Sequence, residues 1–528
     1  MPVFCKGRNP YLKQRILKRQ EEEEKSMKRP NILFILTDDQ GAWAMRCSGN
    51  TDICTPNLDR LAEQGTRFDN FFCASPVCSP ARASILTGRI PSQHGVHDWI
   101  RCGSLDREAL GGLKDHPYFA NEDKPVRYLD GMVAYTDLLA DNGYRCALSG
   151  KWHLGDSMSP QHGFSDWFTI GRGGCLYMQP DVIENGELKI ENRYVTDMIT
   201  EHALADIDKY AESYRAGGSP FYISVHYTAP HDPWDADQHP KEFVEMYSDC
   251  ECTATPDEPL HPDRIPTAPG GTGEERKRLL RGYYAAVSAM DAGVGKLLDR
   301  LEELKVAEDT LVIFTSDNGM NMGHHGIWGK GNGTFPFNLF DTAVKVPFIA
   351  RWQGVIPAGR LTESMCSHYD IIQTLKELLG LTGELPDGLP GKSFASVLTG
   401  GADTDNHVVI LDEYGPGRMI RSREWKYIHR YPYGPNELYH LSEDPEEKKN
   451  LAGCAAYEEI RCELLDRLQK WYAKYADASV DGSREPVTGM GQLRRPGLYS
   501  GGRTVYAKEA KYQSMQNSKK ADIMQEDV

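Results

Sequence analysis

Two pairs of hard-oxygen residues mark the chain first. Asp38-Asp39 ends the apolar run Asn31 to Leu36, and Asp317-Asn318 closes the similar run Leu311 to Thr315. Runs apolar on both faces suit central parallel strands covered by helices. In such sheets ligands bind beyond the carboxyl ends of the strands. Three carboxylates and one amide supply only hard donors, which favours Ca2+ or Mg2+ over zinc. Asp and Asn are also ordinary turn residues, so either pair alone reads equally as a solvated loop. The recurrence of one pattern at two distant strand ends is what sets them apart.

Further strand-like runs end in groups that handle protons and anions. Tyr144 to Ser149 leads into Gly150-Lys151-Trp152-His153, and Phe221 to Tyr227 leads into Pro230-His231-Asp232-Pro233. Cys78 and Arg82 stand four residues apart at a loop-to-helix entry. A helix N-terminus favours an anion, and Arg82, one turn on, shares that face. From these residues alone Cys78 is either a core cysteine or an activated thiolate. Lys330 follows the Asp317-Asn318-Gly319 turn, and by itself reads as a solvated charge.

The elements that must position these groups alternate strand and helix. Val344 to Trp352 is a fifth strand candidate. Helical patterns begin at Thr55 and span Tyr135 to Asn142 and Tyr194 to Tyr214. Another covers Glu274 to Leu304, where Leu280, Tyr284, Val287, Met290, Val294, Leu297 and Leu301 recur at helical steps. This alternation predicts an α/β fold with a large, central, mostly parallel sheet flanked by helices over residues 27–390. Shorter strand-like pieces and a helix from about Ala456 to Tyr475 predict a small α+β subdomain over 391–477. Residues 478–528 read as an extended tail. Residues 1–26 read as a charge-rich extension, with Met27 an alternative start.

Composition narrows the function. The chain has 528 residues, with 76 acidic against 60 basic and a net charge of −16. That balance disfavours nucleic acid or an anionic membrane as the main partner. No apolar run approaches the ~18–20 residues of a membrane span. Thirteen cysteines without a Cys-x-x-Cys pair, and the lack of an apolar leader, point to a reducing, cytoplasmic location. His-Glu-x-x-His, Gly-x-Ser-x-Gly and phosphate-loop motifs are absent from the sequence.

Cys78-x-Pro80-x-Arg82 followed by Thr87-Gly88-Arg89 resembles the signature of the type I sulfatases, in the alkaline-phosphatase-like superfamily. The lysine–histidine element at Lys151 and His153, the Pro-His-x-Pro loop at His231 and the Trp328-Gly329-Lys330-Gly331 turn resemble others of its motifs. The resemblance extends over residues 30–475. It implies that a maturation enzyme oxidises Cys78 to Cα-formylglycine. It also implies a Ca2+ site, with Mg2+ the second choice, formed by Asp38, Asp39, Asp317, Asn318 and the oxygen at position 78.

The implied reaction is hydrolysis of a sulfate ester, with the hydrated aldehyde as nucleophile. In this scheme His231 protonates the leaving alcohol, His153 takes a proton from the remaining hydroxyl, and Lys151 and Lys330 neutralise sulfate oxygens. Arg82 holds the loop rather than the substrate. A sulfated saccharide is the expected substrate, with His94, Trp99, Arg101 and Arg172 as candidate sugar contacts. Two other functions fit the same residues. One is a phosphonate monoester or phosphodiester hydrolase, and the other is a silent glycan-binding protein in which Cys78 stays unconverted.

Overall fold

The computed structural model describes residues 29–115, 119–265, 268–403 and 410–508. The N-terminal extension expected over 1–26, Met27, and the last twenty residues of the expected tail lie outside them. A ten-stranded sheet forms the centre, in the order β12-β2-β11-β8-β1-β7-β3-β4-β5-β6. Its members are β1 (Asn31–Thr37), β2 (Thr66–Phe72), β3 (Arg145–Gly150), β4 (Phe164–Ile170), β5 (Asp181–Glu184), β6 (Glu187–Ile190), β7 (Phe221–His226), β8 (Thr310–Ser316), β11 (Phe348–Arg351) and β12 (Arg360–Ser367). The two-residue strands β9 (Asn321–Met322) and β10 (Trp328–Gly329) pair with each other beside it.

The sheet is parallel where the chemistry lies. The β8–β1, β1–β7, β7–β3 and β3–β4 pairs are all parallel. Antiparallel pairing enters at β11, between β8 and β2, and again through β4, β5 and β6. The fifth strand candidate is therefore β11, and it runs against its neighbours. Strands β2 and β12 pair in parallel with an irregularity between Thr362 and Met365.

The double-faced apolar run of β1 has a direct cause. Ile32, Phe34 and Leu36 enter one core while Leu33 and Ile35 enter the other, because successive side chains point to opposite faces. The helices Val195–Arg215 and Gly273–Glu303 cover the second face, burying Ile199, Ile207, Val287 and Val294 among others. The helices Cys78–Thr87, Tyr135–Asp141 and Ile371–Leu378 cover the first.

The small subdomain is an antiparallel sheet of β13 (Ile410–Tyr414), β14 (Gly417–Arg421), β15 (Trp425–Arg430) and β16 (Glu437–His440). The helix Glu458–Tyr475 packs on it through Leu464, Leu468 and Tyr472. Asp341 of the large domain accepts from Arg421 at 2.8 Å and from Lys426 at 3.0 Å, which clamps the two units together. Residues 478–508 of the expected extended tail form little regular structure beyond two short 3-10 turns. They pack back on the loop after the Cys78 helix, where Gln492 is fully buried. Among the described residues no helix is long and apolar enough to cross a membrane.

Candidate active site

Register explains why the distant motifs meet. Thr37 pairs with Ser316, and Leu36 and Gly150 both pair with His226. The next residues on these strands, Asp38, Asp317 and Lys151, therefore emerge side by side. Gly150 is required for this approach: at φ 116°, a Cβ there would lie 2.0 Å from the His226 carbonyl oxygen. The Lys151 amide donates to that same oxygen at 2.8 Å.

Asp38, Asp39, Asp317 and Asn318 are all buried. Single ligand atoms from Asp38, Asp39, Cys78 and Asp317 lie within 4.8 Å of one another. Asp39 adopts the left-handed backbone, at φ 63°, a conformation that concentrates at functional sites in non-glycine residues. Its Oδ1 accepts from Lys330 Nζ at 2.6 Å and from Asn318 Nδ2 at 2.8 Å. Asp38 pairs with Lys151 through Nζ. Asp38 Oδ1 and Asn318 Oδ1 are buried without a hydrogen-bond partner. Such atoms are costly to bury unless something else meets them. Two orphaned oxygens among converging carboxylates fit a hard divalent cation.

Cys78 is the first residue of the helix Cys78–Thr87, every residue of which is buried. Its Sγ lies 2.6 Å from Lys330 Nζ and 3.8 Å from Asp39 Oδ1. Burial, reinforced by Asp38, pushes the Cys78 thiol well above its ordinary range. Burial by itself therefore works against the activated-thiolate reading, since a protonated thiol is a poor nucleophile. Arg82 donates from Nε to Asp317 Oδ2 and from Nη1 to the Lys151 carbonyl, each at 2.8 Å. It is 2% exposed and ties two strand ends to the helix.

The electrostatics are balanced before any cation binds. Asp38, Asp39 and Asp317 face Arg82, Lys151 and Lys330, three negative charges against three positive. Burial alone would raise Asp39, but Lys330, His231 and Lys151 together hold it below the usual carboxylate range. For Asp38 burial wins over Lys151 and the group is raised. Burial would lower Lys330, but Asp39, Cys78 and Asp38 push it well above the usual lysine range.

The two histidines differ in setting. His153 is 3% exposed, and its Nε2 lies 2.9 Å from the Ile100 carbonyl. That nitrogen must carry the proton, since a carbonyl only accepts. Nδ1 has no partner and is left as the acceptor. Burial, with Lys151 next, holds His153 well below the usual imidazole range, so it is neutral. Gly173 lies over the ring, where a Cβ would come within 2.1 Å of Nε2. His231 is partly exposed; its Nδ1 donates to the Asp232 carbonyl at 2.8 Å, while Nε2 lies 3.6 Å from Asp39 Oδ2.

The site opens into a cleft. A cavity of about 340 Å3 is lined by Asp39, His231, Trp234, Trp328 and Lys330 among others, and a second hollow holds Cys78, Trp99, Arg101, His153 and Arg172. Of the four candidate sugar contacts, Trp99, Arg101 and Arg172 reach the cleft. His94 does not: it is buried, with Nε2 3.1 Å from Ser84 Oγ and Nδ1 accepting from the Val96 amide at 3.1 Å. Sequence reasoning missed His226, whose Nδ1 lies 2.9 Å from the Lys151 carbonyl, although a polar residue closing an apolar strand was a usable signal. It also missed Ile100, Gln492 and Asn332, the last lining both hollows, for which no local pattern exists.

Comparison with known proteins agrees with this geometry. A family model described as Sulfatase matches residues 30–381, and one described as N-sulphoglucosamine sulphohydrolase, C-terminal, matches 323–474. An N-acetylglucosamine-6-O-sulfatase of Bacteroides thetaiotaomicron is 27% identical over 552 residues, covering 89% of this chain and 91% of that protein. A structure solved with D-glucosamine-2-N,6-O-disulfate superposes with a TM-score of 0.68 at 24% identity, over 87% of this chain and all of that one. The phosphonate monoester hydrolase of Agrobacterium radiobacter gives 0.62 at 22% identity, over 85% and 96%. Likenesses at these structural identities speak for the fold alone.

Proposed function

The chain belongs to the sulfatase family, as a type I sulfatase and a sulfuric ester hydrolase, and we propose that it removes sulfate from an O-sulfated saccharide. The observation that carries this reading is the position of Cys78. It stands at the head of a buried helix, against three carboxylates and a lysine, on the floor of a cleft. The name of the bacterial relative favours a sugar as the sulfate carrier.

The roles of the site residues rest on the family resemblance and chemical need, and their convergence at Cys78 supports them. Cys78, converted to formylglycine, supplies a hydrated aldehyde oxygen as nucleophile. Asp38, Asp39, Asp317 and Asn318 would hold a divalent cation, which we take to be Ca2+ because the donors are all hard oxygens. Such an ion supplies charge neutralisation and acidifies an oxygen bound to it. With Arg82, Lys151 and Lys330 already matching the three carboxylates, the floor of the cleft would be net positive with a cation held there, which suits a sulfate ester within an acidic protein.

Lys151 and Lys330 draw charge from the sulfate oxygens as the S–O bond breaks. His231, at the cleft with Nε2 facing Asp39, delivers a proton to the departing alcohol oxygen. His153, neutral and with Nδ1 as its acceptor nitrogen, takes one up. Arg82 orients Asp317 and the Lys151 main chain and does not meet substrate.

Two measurements test the reading. Mass spectrometry of the Cys78 peptide is expected to find a loss of about 18 Da relative to cysteine, the mark of the aldehyde. Cys78→Ala is expected to abolish sulfate release while leaving the melting curve in place. Undiminished release by that variant would sink the mechanism. Faster turnover of an aryl phosphonate than of sulfated sugars would favour the phosphonate hydrolase instead, and an unconverted Cys78 would favour the silent glycan-binding protein.

A further inference from the structure

The hollow at Cys78 is lined by more cationic side chains than the lysine that touches Cys78. The hollow that holds Cys78 is also lined by Arg101, Arg172 and Lys330, and among the described residues no carboxylate lines it. The adjoining cavity is different, with Asp39, Asp232 and Asp235 opposing Lys330 and Arg278. Lys330 is engaged by Asp39 and Cys78 at the floor. Arg101 and Arg172 are two further cationic side chains at this hollow, beside Lys330.

Both arginines are built in place. Arg172 belongs to the glycine-rich loop that crosses His153. Its guanidinium lies 5.2 Å from the centre of the Phe119 ring, with Nε 3.7 Å from Asp181 Oδ2, and its side chain is 12% exposed. Arg101 donates from Nη1 to the Met490 carbonyl at 3.2 Å and from its amide to the Gln492 carbonyl at 2.9 Å. Its neighbour Trp99 donates from Nε1 to the Gly489 carbonyl at 3.0 Å. The C-terminal segment thus braces one arginine and an indole, and an aromatic–aspartate pocket braces the other.

We infer that Arg101 and Arg172 form a subsite for a second acidic group, a sulfate or a carboxylate, on the saccharide whose sulfate ester lies at Cys78. The inference rests on the sulfatase reading and adds the charge of the substrate to it. The planar guanidinium fork matches either oxyanion. Trp99 offers the intervening sugar ring an apolar face. A singly sulfated sugar with no other charge would bring no second anion to these two arginines.

Binding to the full-length Cys78→Ala protein tests the subsite without turnover. The probes are a disaccharide with one sulfate, the same disaccharide with a second sulfate, and its uronate counterpart, each titrated calorimetrically. A charge-assisted contact of this kind corresponds to roughly tenfold or more in affinity, so the second sulfate or the uronate should bind at least that much tighter. Arg101→Gln with Arg172→Gln should collapse the ratio to near one, and Arg172→Lys should restore part of it because it keeps charge without the fork. Gain from the second sulfate alone, or from the uronate alone, tells which oxyanion is read. Equal affinity of all three probes for the parent protein overturns the subsite, as does an unchanged ratio in well-folded arginine variants. Failure of the unsubstituted protein to release sulfate from any probe would sink the sulfatase reading instead, and the binding ratios would still stand.

Discussion

Gln492→Ala should weaken the protein and its catalysis together, although Gln492 does not itself line the hollow at Cys78. Its side chain is fully buried and spans the chain gap between the C-terminal segment and the loop after the Cys78 helix. Nε2 donates to the Gly95 carbonyl at 2.9 Å, and Oε1 accepts from the amides of His97 at 2.8 Å and Asp98 at 3.3 Å. Each such bond contributes about 1 kcal/mol net, and a stranded buried partner costs about 1–3 kcal/mol. Losing these three, and a fourth from Nε2 to the Arg494 carbonyl at 3.1 Å, should destabilise the folded state by about 3–5 kcal/mol.

The same loop carries Ile100, whose carbonyl holds His153 and whose amide accepts no slack, since it donates to Ser79 Oγ at 2.9 Å. It also carries Trp99 and Arg101. A shift of the order of 1 Å in such positioning groups costs up to about a hundredfold in rate, so kcat/KM should fall by roughly ten- to a hundredfold. Urea unfolding and sulfate-release kinetics on one preparation measure both. A midpoint and a kcat/KM indistinguishable from those of the parent protein would refute the bracing role of the C-terminal segment.

Gly150→Ala should cut sulfate release by at least about tenfold, because its Cβ would meet the His226 carbonyl at 2.0 Å and φ 116° disfavours any side chain; unaltered kinetics would contradict the strand-end geometry. Chelation should lower the melting midpoint and abolish activity, with Ca2+ restoring both, since a ligand of the native state alone stabilises it; a midpoint insensitive to Ca2+ would count against the cation site. His97 gives a pH dependence. Burial, with Arg418 adding to it, lowers His97 from 6.5 to about 4. Between those values the unfolded chain binds the proton and the native one does not. Its contribution is therefore intact above pH 6.5 and is lost as the pH falls to about 4, on the order of 3 kcal/mol. His97→Phe should flatten that part of the stability profile, and an unchanged slope would show that His97 titrates normally.

Much of the site was legible because its residues follow strands with a local signature. The runs ending at Thr37, Ser316, Gly150 and His226 are apolar on both faces, and parallel register brings their ends together. The helix entry at Cys78 was likewise readable from a short motif. The edge strands were harder. β2 reads Thr-Arg-Phe-Asp-Asn-Phe-Phe, with Asp69 exposed, and β5 and β6 are four residues each. Strands this short and polar carry too little periodicity to separate from loops.

Residue type and order thus determined which groups the protein brings to its chemistry, since a carboxylate, a lysine or a cysteine has the same donor and acceptor properties wherever it stands. Tertiary structure decided their states and their surroundings. It placed Cys78 where burial and Asp38 push the thiol above its ordinary range, left Nδ1 of His153 as the acceptor, removed His94 from the cleft, and returned residues 478–508 to brace Trp99 and Arg101. Those outcomes depend on contacts between residues as much as 397 positions apart. Burial and charge proximity are properties of such contacts, and no local pattern of residues encodes them.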